Sequence, residues 1–145
     1  MNRTATAIWN GDLKTGTGKL STQSTALADL PYSFKSRTED VQGQTGTNPE
    51  ELIGAAHAGC FTMRLSSLLS TNGTPPQELQ TTATISTKPN EGGGFSIAKS
   101  ELVLRARVAN ISETDFQKLA KQAKENCPVS RALNALEITL KATLL

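Results

Sequence analysis

With two cysteines, one histidine and no C-x-x-C, this sequence has little with which to hold a metal. Zinc sites are built from closely spaced Cys and His ligands, so no metal centre is expected. Two cysteines are also too few for the disulfide framework of a small secreted domain, and a structural bridge is unusual in a reducing compartment. Cys60 and Cys127 are therefore free thiols or a catalytic pair. No apolar run approaches the roughly 20 residues of a membrane helix, and the first residues, Met1 to Trp9, lack the apolar core of a secretion signal. A cytoplasmic protein with no membrane partner is the expectation. Charge of neither sign dominates. The 15 basic and 13 acidic residues are interspersed, which leaves no basic stripe to bind the phosphate backbone, so nucleic acid is not an expected partner. Neither a G-x-G-x-x-G run nor a P-loop lysine is present, and Gly92 to Gly94 reads as a turn.

What remains is an ordinary globular composition. The 145 residues suffice for one domain, residues 1–145, with a core of its own, and the hydrophobic content of 37% supports one. Ala5 to Trp9 alternates, Asn10-Gly11-Asp12 signals a turn, and Gly18 to Ser24 reads as the return strand of a hairpin. A third strand is expected at Tyr32 to Ser36, delivering Arg37 to a mobile polar loop, Thr38 to Thr47. A helix should then start at Asn48, with Pro49 in its first position and Glu50 and Glu51 where the helix dipole favours anions. Thr47 and Glu50 offer a competing capping box. From Leu52 to Met63 the residues are uncharged apart from His57, and Gly54, Ala55, Ala56, Ala58 and Gly59 are small. That pattern predicts a helix buried nearly all round, ended by Asn72-Gly73.

Two long strands, Leu79 to Thr87 and Phe95 to Ala109, form a second expected hairpin, and a change of apolar parity predicts a bulge between Ile97 and Leu102. Ser112 should cap a helix whose Phe116, Leu119, Ala120 and Ala123 share one face. Pro128 stops that helix just past Cys127 and can begin a short one, Val129 to Ala135. A final strand points Ile138, Leu140, Ala142 and Leu144 inward. This order predicts an α+β fold with mainly antiparallel sheet rather than a parallel βαβ core.

Chemistry can reside at few positions. Cys60 follows His57 by three residues and precedes Arg64 by four, so both can share its side of the helix. Free cysteine is commonly a small buried hydrophobe. A reactive thiolate needs a cation, for which Arg37 and Arg64 are the candidates. Cys127, at a helix boundary, can be lowered in pKa by the N–H groups that follow it or can merely cap them. His57 can act as a base or sit satisfied in the core. No Asn or Asp is identifiable as its orienting third member, which weighs against a hydrolase.

The runs Thr47-Asn48-Pro49-Glu50-Glu51-Leu52, Ala55-Ala56-His57-Ala58-Gly59-Cys60-Phe61 and Asn126-Cys127-Pro128-Val129-Ser130, together with Trp9-Asn10-Gly11-Asp12, resemble the OsmC/Ohr family of bacterial osmotically inducible and organic hydroperoxide resistance proteins. The resemblance spans nearly the whole chain, and His57 with the N-terminal hairpin is more similar to the OsmC branch. It implies an intertwined homodimer with antiparallel sheets wrapped around central buried helices. It further implies a peroxidase for organic hydroperoxides, with Cys60 as the peroxidatic thiol, Cys127 as the resolving thiol, Arg37 activating the thiolate and Glu50 pairing Arg37. It implies no bound cofactor but an external dithiol reductant of lipoyl type, and it carries over no role for Arg64, which is left as a surface or edge residue. On one straight helix Glu50 and Cys60 are separated by about 15 Å, so Arg37 and Glu50 of one chain are expected to serve Cys60 of the other. The Pro-x-x-x-Thr-x-x-Cys context of thioredoxin-like peroxidases is absent at both cysteines. Two other readings stand beside this one: a non-catalytic stress protein that binds a lipid-like ligand, and a thiol redox sensor.

Overall fold

The computed structural model describes residues 1–145. The chain divides into two compact units, residues 1–52 and 53–145. No helix is long and apolar enough to cross a membrane.

In the first unit, β1 (Ala5–Asn10), β2 (Thr17–Thr22) and β3 (Leu30–Ser33) form an antiparallel sheet in the order β1-β2-β3. The turn after β1 is held by Asp12, whose carboxylate accepts from the Lys14 and Thr15 backbone N–H groups at 2.8 and 3.0 Å and from the Thr15 hydroxyl. Those bonds, the Thr15 hydroxyl first, keep its carboxyl below the usual range. Trp9, Gly18 and Tyr32 stand side by side across the three strands. Because Gly18 has no side chain, the Trp9 and Tyr32 rings close over it to a centroid distance of 5.3 Å. A Cβ at Gly18 would lie 2.2 Å from the Tyr32 ring.

The expected third strand ends earlier than its sequence suggested. Ser33, the last residue of β3, caps a short helix, α1 (Phe34–Thr38): its hydroxyl accepts from Ser36 N–H while the Ser36 hydroxyl accepts from Ser33 N–H. The buried Ser36 hydroxyl, which also donates, lies 2.9 Å from the Thr47 carbonyl. Arg37 thus rides on a capped helical turn rather than on a polar loop, because Ser33 and Ser36 satisfy the backbone groups that a strand would have paired.

Helix α2 (Pro49–Thr71) begins as expected, with the Asn48 side chain accepting from Glu51 N–H at 2.8 Å. Thr47 does not form the competing box; its hydroxyl donates to Glu51 instead. Beyond Thr71 the helix is closed by Gly73, whose φ of 81° lets Thr74 N–H reach back to the Leu69 carbonyl.

The second unit contains β4 (Pro76–Pro89), β5 (Phe95–Val108), α3 (Glu113–Asn126), α4 (Pro128–Ala132) and β6 (Glu137–Leu144), with sheet order β4-β5-β6. The predicted bulge is at Ala98: Ser86 faces Lys99 but Thr87 faces Ile97. β6 pairs with β5 in parallel, because α3 and α4 carry the chain back before it rejoins the sheet. The sheets are mainly antiparallel, as expected, with this one parallel pair. Ser100, Leu102, Leu104, Ala106 and Val108 alternate onto the buried face of β5 and meet Phe61, Leu65 and Leu69 of α2 and Phe116, Ala120 and Ala123 of α3 in one core. Within a single chain α2 is not buried all round. Gly54, His57, Phe61, Leu65 and Leu69 face inward, whereas Ala55, Ala56, Gly59 and Met63 are exposed, Met63 to 76%. Small residues leave that side flat, and nothing in the second unit covers it.

Candidate active site

Two pairs among the expected site residues are brought together, one in each unit. In the first, Arg37 projects from α1 and presents Nε and Nη2 to the Glu50 carboxylate at 3.2 and 2.7 Å. This forked, charge-assisted geometry fixes the guanidinium plane. Glu50 is the more enclosed partner, with 14% of its side chain exposed against 39% for Arg37. Arg37 also lies on the wall of an open cleft of about 290 Å³ lined by Trp9, Leu13, Tyr32, Ser33, Phe34 and Pro49. A guanidinium beside aromatic and aliphatic walls suits a ligand with an apolar body and a polar or anionic head.

In the second unit, Cys60 of α2 meets Cys127 at the junction of α3 and α4. Both are free thiols, Cys60 half-buried and Cys127 fully buried. Cys60 packs against the buried cluster that includes Cys127, near enough for the two thiols and the Val129 backbone N–H to influence one another. Burial pushes the Cys60 thiol up, the Cys127 contact adds to that, and the Val129 N–H acts in the opposite direction. Cys127 closes α3, donating its N–H to the Ala123 carbonyl at 2.9 Å, and immediately precedes Pro128 at the start of α4. Proline cannot continue α3, so the chain turns here and holds the thiol at the bend. The short helix that follows ends at Ala132, three residues before the expected Ala135.

His57 is a satisfied core residue. Its Nδ1 lies 2.6 Å from the Ser100 hydroxyl and its Nε2 2.8 Å from the Ser130 hydroxyl, with all three side chains buried. Burial lowers its pKa, which favours the neutral ring. Neither serine was singled out in the sequence. Ser100 carried a signal, being a polar residue in the same parity as Leu102 and Leu104, whereas Ser130 had none beyond its place in the Cys127 run. The aromatic lining beside Arg37 was also missed, since its residues are scattered from Trp9 to Pro49. Arg64, expected at a surface or edge, is half-buried with its Nε enclosed and without a hydrogen-bond partner. No group of three or more His, Cys, Asp or Glu side chains converges on a point where a metal could bind.

Comparison with known proteins identifies the family. Residues 42–141 match the family described as OsmC-like protein. Peroxiredoxin OsmC of Escherichia coli is 46% identical over 134 residues, which is 92% of this chain and 90% of that protein. Organic hydroperoxide resistance protein-like 2 of Staphylococcus epidermidis is 31% identical over 104 residues, covering 70% of this chain and 71% of its own. The crystal structure of the organic hydroperoxide resistance protein OhrB of Bacillus subtilis superposes with a TM-score of 0.74 at 26% identity, over 97% of this chain and 98% of that one. On the match across most of its length and on the identity to these relatives, this chain belongs to the OsmC family.

Proposed function

We propose that this chain is a cysteine-based peroxidase that reduces organic hydroperoxides to alcohols, in defence against oxidative and osmotic stress in the cytoplasm. The observation that carries the proposal is the proximity of Cys60 and Cys127, two thiols from separate elements, the first half-buried against the core and the second within it. A buried structural cysteine has no need of a second.

The Cys60 thiolate attacks the distal peroxide oxygen; the S–O bond forms, the O–O bond breaks, and the leaving alkoxide takes a proton to become the alcohol. Sulfur is oxidised by two electrons to a sulfenic acid while the peroxide is reduced by two. Cys127 then displaces the sulfenic oxygen as water, giving a Cys60–Cys127 disulfide. An external dithiol of lipoyl type, itself oxidised to its disulfide, returns both thiols. No bound cofactor takes part.

Burial alone leaves Cys60 protonated, so the first step needs a cation. In this reading the Arg37–Glu50 pair supplies it: Glu50 orients the guanidinium, and Arg37 stabilises the thiolate and the charge developing on the alkoxide. The whole chain, residues 1–145, acts as one domain of a homodimer, and Arg37 and Glu50 of one copy serve Cys60 of the other. The exposed small-residue side of α2, with Ala55, Ala56, Gly59 and Met63, is suited to close packing against a second copy. The names of the relatives point to the substrate class, and the aromatic cleft beside Arg37 is consistent with an alkyl or aryl tail.

The test is to mix reduced protein with one equivalent of cumene hydroperoxide and count thiols by mass spectrometry. Loss of two thiols as an intramolecular disulfide, with a sulfenic acid trapped on Cys60 in Cys127→Ser, is expected. Two thiols still reduced after exposure would overturn the proposal and favour a ligand-binding protein.

A further inference from the structure

We propose that His57 is a positioning residue for the resolving step: through Ser130 it holds the Cys127-bearing turn against the helix that carries Cys60. This rests on the peroxidase reading above.

The matched three-residue spacings within two pairs carry the argument. His57 precedes Cys60 by three residues on α2, and Ser130 follows Cys127 by three residues through the start of α4. The His57–Ser130 bond and the Cys60–Cys127 contact are therefore two rungs joining the same two segments, one turn apart. The other polar side chain of α4 does not contribute a rung. Arg131 bonds the Glu125 carbonyl and the Asn126 side chain, which ties α4 to the end of α3 and not to α2. Ser100 on β5 completes the clamp by holding Nδ1, so the ring is fixed from both sides and one nitrogen donates while the other accepts.

A leucine or methionine at position 57 would fill the same inward face beside Phe61 without burying three polar groups. Such a cluster costs desolvation and is stabilising only when every member is paired. Here every member is paired, and the pairing gives the unit something an apolar contact cannot: a directional link of defined length. Resolution needs such a link. Cys127 sulfur must approach Cys60 sulfur along the S–O bond, forming S–S as S–O breaks and the oxygen leaves as water with the Cys127 proton. A disulfide also tolerates only a narrow range of Cβ separation. Holding the two segments at that distance raises the effective concentration of Cys127 at the sulfenic acid.

The experiment is a single turnover of the full-length protein with one equivalent of cumene hydroperoxide, quenched over time and read by mass spectrometry. It separates sulfenic acid formation from disulfide formation. His57→Asn keeps a group at the Nδ1 position for Ser100 and loses the reach to Ser130, whereas His57→Gln keeps a group at the Nε2 position. We expect His57→Asn and Ser130→Ala each to slow disulfide formation about tenfold or more while slowing peroxide attack less than about threefold, with sulfinic acid accumulating on Cys60. His57→Gln should restore the second step to within about threefold of wild type, and His57→Asn combined with Ser130→Ala should be no slower than either alone. Thermal melts check folding; if His57→Asn does not fold, Ser130→Ala decides alone. Equal slowing of both steps, or disulfide formation at the wild-type rate in folded Ser130→Ala, overturns the inference while leaving the peroxidase intact. A wild-type protein that loses no thiols overturns the peroxidase reading itself.

Discussion

Arg37 and Glu50 are joined by a forked ion pair, with Nη2 at 2.7 Å and Nε at 3.2 Å from the carboxylate, linking a short capped helix to the first turn of a long one. The geometry leaves one edge of the guanidinium committed to Glu50 and sets the direction of the rest. Removing the guanidinium in Arg37→Ala should lower kcat/KM for cumene hydroperoxide by about 10²- to 10³-fold, the usual loss for a preorganised charge. Glu50→Gln should act in the same direction but more weakly. Steady-state kinetics measures both. Because Arg37 is partly exposed, thermal stability should stay near wild type.

Cys60→Ser should be inactive with any hydroperoxide. Cys127→Ser should turn over once, leaving a sulfenic acid on Cys60, and a second equivalent of peroxide should carry that sulfur onward to sulfinic acid. Intact-mass spectra of the two variants separate these outcomes; full turnover by Cys60→Ser would end the peroxidase assignment.

The pH dependence of Cys60 alkylation reports its activation. Burial and the Cys127 contact raise the thiol in a single chain, so a protein held monomeric by dilution should react with iodoacetamide only at alkaline pH. If a second copy brings Arg37 to the site, raising the concentration should move the profile to lower pH, and Arg37→Ala should abolish that movement. A profile independent of concentration and of Arg37 would remove the arginine from the mechanism.

Stability should depend on pH through His57. Its pKa in the folded chain lies below the ordinary 6.5 because the ring is buried, and both its hydrogen-bond partners are uncharged hydroxyls. The unfolded chain therefore binds the proton more readily, so the contribution is complete above about pH 6.5 and is lost as pH falls through the folded value, by at most about 1.4 kcal/mol per pH unit. Denaturant titrations between pH 7 and 5 should show this slope in wild type and a flatter one in His57→Gln.

Core and sheet each offer a stability test. Leu102→Ala, at a fully buried site between α2 and α3, should cost about 2–5 kcal/mol by urea unfolding. Gly18→Ala forces the Tyr32 ring off its strand and should loosen the first sheet, quenching or shifting Trp9 fluorescence before the second unit responds.

Much of this arrangement was legible in the residues. Asn48-Pro49 marked the start of α2, Asn72-Gly73 its end, the parity change the bulge at Ala98, and Ser112 the cap of α3, because each is a local preference of backbone or side chain. Local signals failed where two of them competed. Tyr32 to Ser36 alternates like a strand, yet the Ser33–Ser36 box turned its second half into α1. The run from Leu52 to Met63 looked buried all round because small apolar residues do not reveal which side faces what.

By itself the sequence determined most of the elements, the inward faces of α3 and β6, and the two cysteines on which any redox chemistry must rest. Capping, periodicity and turn chemistry act over a few residues, and those are written in order along the chain. Tertiary structure alone decided that Cys127 meets Cys60, that β6 joins β5 in parallel, and that His57 bonds Ser100 and Ser130. These contacts join segments far apart in the chain, and their pairing is selected by how the core packs, which no local preference encodes.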